Sequence, residues 1–259
     1  MRYSEKLAGR IAASGSRLCV GLDPRAEHHG DSVSEVEDFL RRVIEETAEF
    51  AAAFKPNCAY FEAMGSEGVA MLEQVVELVP DGIPVIMDAK RSDIGETQRR
   101  YAMACFDEMG SDAATLNPFM GYDSIEPFLD AEGKGVYALA VTSNPGSADI
   151  QRQKVDGRPV YEIVGEFAQR AQQEGRATDV GLVVGLTNAA REVLDGLPDV
   201  PLLVPGLGAQ GGDLAALKGS GRQAPIVINV SRGVLYPGDQ GSPGELAKRY
   251  AGEIAAVLD

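Results

Sequence analysis

The sequence predicts an α/β fold: a (β/α)8 TIM barrel in a single domain over residues 1–259. Three observations carry this expectation. Short apolar, β-branched runs alternate with longer amphipathic stretches along the whole chain, as in repeated strand–helix units around a parallel sheet. Eight such runs fit within the 259 residues, whereas a doubly wound open sheet more often stops at about five or six strands. No GxGxxG fingerprint follows the first run, and no linker or low-complexity tract interrupts the alternation.

In chain order, the first strand is expected at residues 17–22, RLCVGL, followed by an amphipathic helix at 33–53. Residues 53–57, AFKPN, form the second strand, with a helix at 68–78. The third strand, 84–90 or PVIMDAK, ends in charged residues and leads into a helix at 94–109. Strand four is 113–117, AATLN, and strand five 136–141, VYALAV. The polar segment 143–159, SNPGSADIQRQKVDGRP, is the longest connection. Following strand five, it falls at the mouth of a barrel, where long loops are usually functional. A helix at 161–175 leads to strand six, 180–185 or VGLVVG, and a helix at 188–194 to strand seven, 201–204 or PLLV. Strand eight is 226–230, IVINV, and a helix at 244–258 closes the ring.

Composition narrows the function. Hydrophobic residues at 44% and charged residues at 24% are those of an ordinary globular chain. The apolar runs are far shorter than the roughly 18 residues a membrane span needs, and MRYSEKLAGR lacks the apolar core of a signal peptide. A cytoplasmic protein without a membrane partner is expected. Cys19, Cys58 and Cys105 show no CxxC spacing, so neither a disulfide framework nor a zinc site is suggested. The only histidines, His28 and His29, are adjacent, which makes a histidine triad or metal site hard to build. Acid–base chemistry therefore falls to Lys, Asp, Glu or Tyr. A net charge of −15 and no basic run longer than two residues argue against a nucleic-acid partner. An anionic ligand would need Lys and Arg concentrated locally.

The charges cluster where barrel active sites sit, at the C-terminal ends of strands. Asp88 and Lys90 are two apart in strand three, hence on one face and separated by about 6 to 7 Å of rise. Asp23 closes CVGLD, Lys55 lies in FKPN, Asn117 closes ATLN and Ser143 follows ALAVT; Asp93 lies in the turn after strand three. The bland alternative is a structural network in which Lys90 neutralises Asp88 and Asp93. Five ionisable residues at three consecutive strand ends and the following turn favour function, because buried charges without a ligand are costly. A lysine flanked by carboxylates is held as ammonium, which suits a proton donor and argues against Schiff-base chemistry. After strand seven, VPGLGAQGGD carries four glycines, and after strand eight NVSRGVLY carries Arg232 and Gly233. Loops at these places in many barrels bind phosphate through backbone amides, to which an arginine adds a bidentate contact.

Together these residues resemble the orotidine 5′-phosphate decarboxylase family, over nearly the whole chain. The family's DxKxxDI motif stands here as Asp88-Ala89-Lys90-Arg91-Ser92-Asp93-Ile94, followed by Thr97. Asp23 in GLDP, Lys55 in FKP, Ser143 in SNPG, Gln210 in GAQGG and Arg232 before Gly233 fall in the expected order. The resemblance implies that orotidine 5′-phosphate loses CO2 to give uridine 5′-phosphate without metal or organic cofactor. It implies that Lys90 protonates the carbon, Asp88 lies beside the substrate carboxylate and Lys55 holds the network in line. It further implies a homodimer in which Asp93, Ile94 and Thr97 complete the neighbour's site. Asp23 would bind a ribose hydroxyl, Ser143 the pyrimidine edge, and Gln210, Gly211, Arg232 and Gly233 the phosphate region; Asn117 is a further substrate-binding candidate. Longer loops after strands one and five depart from the compact members and resemble the longer bacterial subgroup. Residues 148–158 have no assigned role. Two alternatives stand beside this reading: a Mg²⁺-dependent sugar-phosphate decarboxylase or aldolase on the same barrel, and a catalytically silent nucleotide-binding barrel.

Overall fold

Alternation along each apolar run sends one residue toward the barrel lumen and the next toward the helices, and this sorts the core into two clusters. The computed structural model describes residues 1–185, 191–206 and 214–258. Its barrel strands are β1 Leu18–Leu22, β2 Ala51–Pro56, β3 Ile86–Arg91, β4 Ala113–Leu116, β5 Gly135–Val141, β6 Asp179–Val184, β7 Leu202–Pro205 and β8 Ile226–Val230. They form one parallel sheet in the order 2-1-8-7-6-5-4-3. The seam between β2 and β3 is joined by isolated parallel bridges, Phe54 with Val85 and Asn57 with Asp88. The Phe54 N–H donates to the Pro84 carbonyl at 2.9 Å across that seam. The barrel expected from the alternation is the fold observed.

Lumen residues such as Cys19, Ile86, Ala113, Tyr137, Leu203 and Val227 pack with one another and with Tyr3 and Leu7 of α1, Tyr3–Ser14. This helix lies across the N-terminal end of the barrel. Its residues reach the starts of strands: Ser4 N–H donates to Asp179, Lys6 pairs with Asp112, and Arg10 donates to the Ala51 carbonyl at 2.9 Å. Tyr3 and Tyr137 meet through their hydroxyls at 3.2 Å with rings edge-on. Gly181 makes room for the Tyr137 ring, since a Cβ there would lie 2.8 Å from it and 2.5 Å from the Pro201 carbonyl. The second cluster lies between the strands and the helices α2 Val33–Thr47, α3 Cys58–Glu62, α4 Gly65–Glu77, α6 Val160–Gln173, α7 Arg191–Asp195 and α9 Pro243–Leu258. On α2, for example, Val36, Leu40, Val43 and Ile44 recur at helical spacing and are all buried, each worth about 1.5–3 kcal/mol of burial.

Several boundaries differ from the sequence reading. Helix α1 was not among the expected elements, although Tyr3, Leu7 and Ile11 share one face at i, i+4 spacing. Helix α2 stops at Thr47 instead of running to residue 53, because Ala51 and Ala53 pair with Leu18 and Cys19 of β1. Here strand pairing overrides the helix propensity of the three alanines. The helix at 94–109 divides into α5, Gly95–Met103, and a wider π turn over Ala104–Glu108. No full helix follows β4; three short 3-10 turns over Pro118–Met120, Tyr122–Ser124 and Glu126–Phe128 connect it to β5. In the long connection after β5, Lys154–Val155 and Arg158–Pro159 form a small antiparallel hairpin. Its turn residues Asp156 and Gly157 both have positive φ, 51° and 81°, as a type I′ turn requires.

Candidate active site

The strand ends enclose a cavity of about 550 Å³ lined by Asp23, Lys55, Asp88, Lys90, Ser143 and Arg232, among others. At its floor Asp88 sits between two ammonium groups: Lys55 Nζ is 2.6 Å from Oδ2, and Lys90 Nζ is 2.6 Å from Oδ1. Lys55 is 4% exposed and Asp88 9%, whereas the Lys90 side chain is about half exposed, at 48%. Lys55 is therefore the buried counter-charge and Lys90 the cation presented to the cavity. Burial alone would raise the Asp88 carboxyl, but Lys55 and then Lys90 outweigh it and hold the group far below its ordinary range. Burial would likewise lower Lys55, but Asp88 and then Asp23 outweigh it and push the ammonium above its ordinary value. Beneath them burial pushes the Cys19 thiol up to about 12, leaving it an inert lumen residue.

The shared face of Asp88 and Lys90 does not come from a regular pleat. Register slips between Met87 and Arg91, where four steps of β3 oppose two of β4, from Ala114 to Leu116. Lys90 lies in this bulge with φ at 46°, a left-handed conformation uncommon for a side chain of its size. Thr115 secures it. The Thr115 hydroxyl accepts the Lys90 N–H at 3.0 Å and donates to Asp88 Oδ1 at 2.9 Å. Thr115 is 1% exposed and was not among the expected site residues. Its signal was a polar residue at an inward position of an otherwise apolar strand.

On the adjoining wall, formed by β1 and β8, three buried polar atoms have no hydrogen-bond partner among the described residues: Asp23 Oδ1, Asn229 Oδ1 and Ser231 Oγ. All three residues line the cavity. Buried polar atoms are normally satisfied, so this wall has capacity for a polar ligand. Asn229 and Ser231 were not foreseen, though the asparagine within IVINV marks the strand. Beside them Arg232 and Gly233 open α8, Arg232–Leu235. A Cβ at position 233 would lie 2.4 Å from the Tyr250 hydroxyl, so any other residue there forces the phenol to shift.

The structure separates the remaining expected residues from the cavity. Asp93 forms no ion pair with Lys90; its Oδ1 accepts the Ile94 N–H at 2.8 Å. Ile94 is 51% exposed, and Thr97 is exposed on α5. Asn117 also lies outside the cavity lining. Its side chain accepts the Phe119 N–H at 3.1 Å, capping the turn at Pro118–Met120. Gln210 and Gly211 lie outside the described residues. Among the described residues, no group of three or more His, Cys, Asp or Glu side chains is arranged to hold a metal ion, and no helix is long and apolar enough to cross a membrane.

Residues 16–249 match the orotidine 5′-phosphate decarboxylase / HUMPS family. The chain belongs to that family. Within the orotidine 5′-phosphate decarboxylase / HUMPS family it is similar to the orotidine 5′-phosphate decarboxylase of Herpetosiphon aurantiacus, 41% identical over 96% of this chain and 95% of the relative. It is equally similar to that of Variovorax paradoxus, 43% identical over 100% and 98% of the two chains. Among solved structures, the OMP decarboxylase of Leishmania donovani has a TM-score of 0.87 at 40% identity, covering 99% of both chains. The UMP synthase of the same organism matches with a TM-score of 0.89 at 42% identity, over 99% of this chain and 56% of that one.

Proposed function

We propose that this chain decarboxylates orotidine 5′-phosphate to uridine 5′-phosphate and CO2, the last step of de novo UMP synthesis. The observation that carries the reading is the Lys55–Asp88–Lys90 line, two cations on one buried carboxylate, with Lys90 facing the cavity. The pyrimidine carboxylate lies beside Asp88, whose ionised form is held by the two lysines. Cleavage of the ring-carbon to carboxyl bond leaves its electron pair on an sp² ring carbon with no simple delocalisation. The fixed Lys90 ammonium stabilises that charge and then transfers a proton to the carbon, regaining one from solvent. Asp23 and the unpartnered atoms beside it accept ribose hydroxyls, Ser143 meets the pyrimidine edge, and Arg232, Gly233, Gln210 and Gly211 serve the phosphate. Binding energy from the remote phosphate appears in the chemical step through ordering of the loops.

A second copy of the chain completes each site with its own Asp93, Ile94 and Thr97. Two features support this. These residues are absent from the lining of their own cavity, and large apolar side chains are exposed on the same helix and on the turn after β4: Ile94 at 51% and Met103 at 44% at the two ends of α5, Phe119 at 74% and Met120 at 47%. Exposed apolar surface that forms a contiguous patch marks association sites.

The test is turnover of orotidine 5′-phosphate in EDTA, followed by loss of orotate absorbance, with Lys90→Ala alongside. Metal-independent turnover that vanishes in the variant is the expected result. Activity only with Mg²⁺ and sugar phosphates, or near-normal turnover by Lys90→Ala, overturns the mechanism; binding without turnover leaves the silent barrel.

A further inference from the structure

Lys55 and Lys90 are both engaged by Asp88. The other cations lining the cavity are Arg25 and Arg232. Acidic residues outnumber basic ones 39 to 24 in this chain, yet neither guanidinium meets a carboxylate among the described residues. Arg25 stands two residues beyond Asp23, in the loop after β1, and is absent from the sequence motifs discussed above. Its backbone N–H donates to the Tyr236 hydroxyl at 2.7 Å, and its guanidinium carbon lies 5.8 Å from the centre of the Tyr236 ring. Tyr236 directly follows α8, so Arg25 is tied to the same turn that carries Arg232 and Gly233. The tie is stiff: Tyr236 stacks on Phe39 with ring centres 5.5 Å apart and meets His28 edge-on at 4.8 Å.

We infer that Arg25 is a second guanidinium for the substrate's 5′-phosphate, acting from the loop after β1 alongside Arg232 in the loop after the adjacent strand β8. The assignment rests on the decarboxylase reading above. A dianionic phosphate accepts several charge-assisted hydrogen bonds, and the planar guanidinium fork suits it better than an ammonium. With both lysines held by Asp88, the lysines and the arginines that line the cavity have separate duties. Chemistry occurs at Lys90, and retention of the phosphate at Arg25 and Arg232.

Titration calorimetry of the wild type, Arg25→Ala and Arg25→Lys with uridine 5′-phosphate and with uridine tests this. Arg25→Ala is expected to weaken the nucleotide by roughly tenfold to a hundredfold while leaving uridine affinity unchanged, with Arg25→Lys between. Equal losses on both ligands indicate a merely structural role and overturn the assignment, as does unchanged nucleotide affinity. A wild-type protein that fails to turn over orotidine 5′-phosphate overturns the decarboxylase reading by itself. The Arg25 assignment is then read from thermal protection by inorganic phosphate, which Arg25→Ala must diminish; equal protection of both proteins refutes it.

Discussion

Replacing Thr115 with valine keeps the shape of the side chain and deletes both of its hydrogen bonds. The bond donated to Asp88, 2.9 Å long and buried, goes to an ionised carboxylate, a class worth about 1.5–3 kcal/mol. The bond accepted from Lys90 N–H, at 3.0 Å and part-buried, has no replacement in valine; a fully buried unpaired donor costs about 1–3 kcal/mol, and this one lies at the low end. Asp88 keeps both lysines, which places the sum near the lower bounds, at about 2.5 kcal/mol. With a urea m-value of about 3 kcal/mol/M for a chain of this size, the unfolding midpoint falls by about 1 M. Activity suffers separately, because Lys90 sits at φ 46° and loses the bond that holds this conformation. A displacement of the ammonium by about 1 Å lowers kcat roughly a hundredfold. Thr115→Ser retains both bonds and is expected to stay close to wild type in kcat. The measurements are urea denaturation and steady-state decarboxylation. A valine variant matching wild type in both midpoint and kcat refutes the role assigned to Thr115.

Lys55→Met leaves the buried Asp88 with one half-exposed cation, and loss of one partner from a buried ion pair costs about 3–5 kcal/mol, read by chemical denaturation. Its pH dependence has a definite sign. Asp88 is held below its ordinary value of 3.8, so its contribution is full above about pH 4 and is lost as pH falls through the folded value. Lys55 is held above its ordinary 10.5, so its share is lost as pH rises through the folded value. Lys55→Met therefore moves the acid limb of the stability profile to higher pH. Phe119→Asp is expected to shift sedimentation toward monomer and to lower activity at dilute protein; an unchanged assembly removes this face from the interface. Gly181→Ala pushes a methyl against the Tyr137 ring and the Pro201 carbonyl, costing about 1–3 kcal/mol as overpacking in thermal melts, with cavity ligand affinity unaffected.

The alternation of short apolar runs with amphipathic stretches made the barrel legible, since period-two and helical patterns each require burial on a definite face. Strand ends were harder to place: alanines 51–53 look helical locally and become a strand only through pairing with β1. The charged line was visible because Asp88 and Lys90 stand two apart, while the bulge that orients Lys90 depends on β4 and leaves no local mark. Thr115 and Asn229 showed as polar residues in apolar strands, yet only the folded barrel reveals which face they line. Asn117 looked like a site residue by its place after β4, and its side chain instead caps the following turn. Arg25 follows a recognisable aspartate, but its tie to Tyr236, 211 residues away in sequence, exists only in three dimensions.

The stopper at the base of the barrel sets an order of events in assembly. Helix α1 leaves the ribosome before every strand it touches, at about 5–20 residues per second. Its buried tyrosine must wait for Tyr137, and its N-terminal arginine and serine for Asp179. Until those strands arrive, three apolar side chains on one face of a short amphipathic segment have nowhere to go, and a segment of 12 residues has little helicity alone. Its docking therefore reports the arrival of β5 and β6. Hydrogen exchange in this helix would time that arrival.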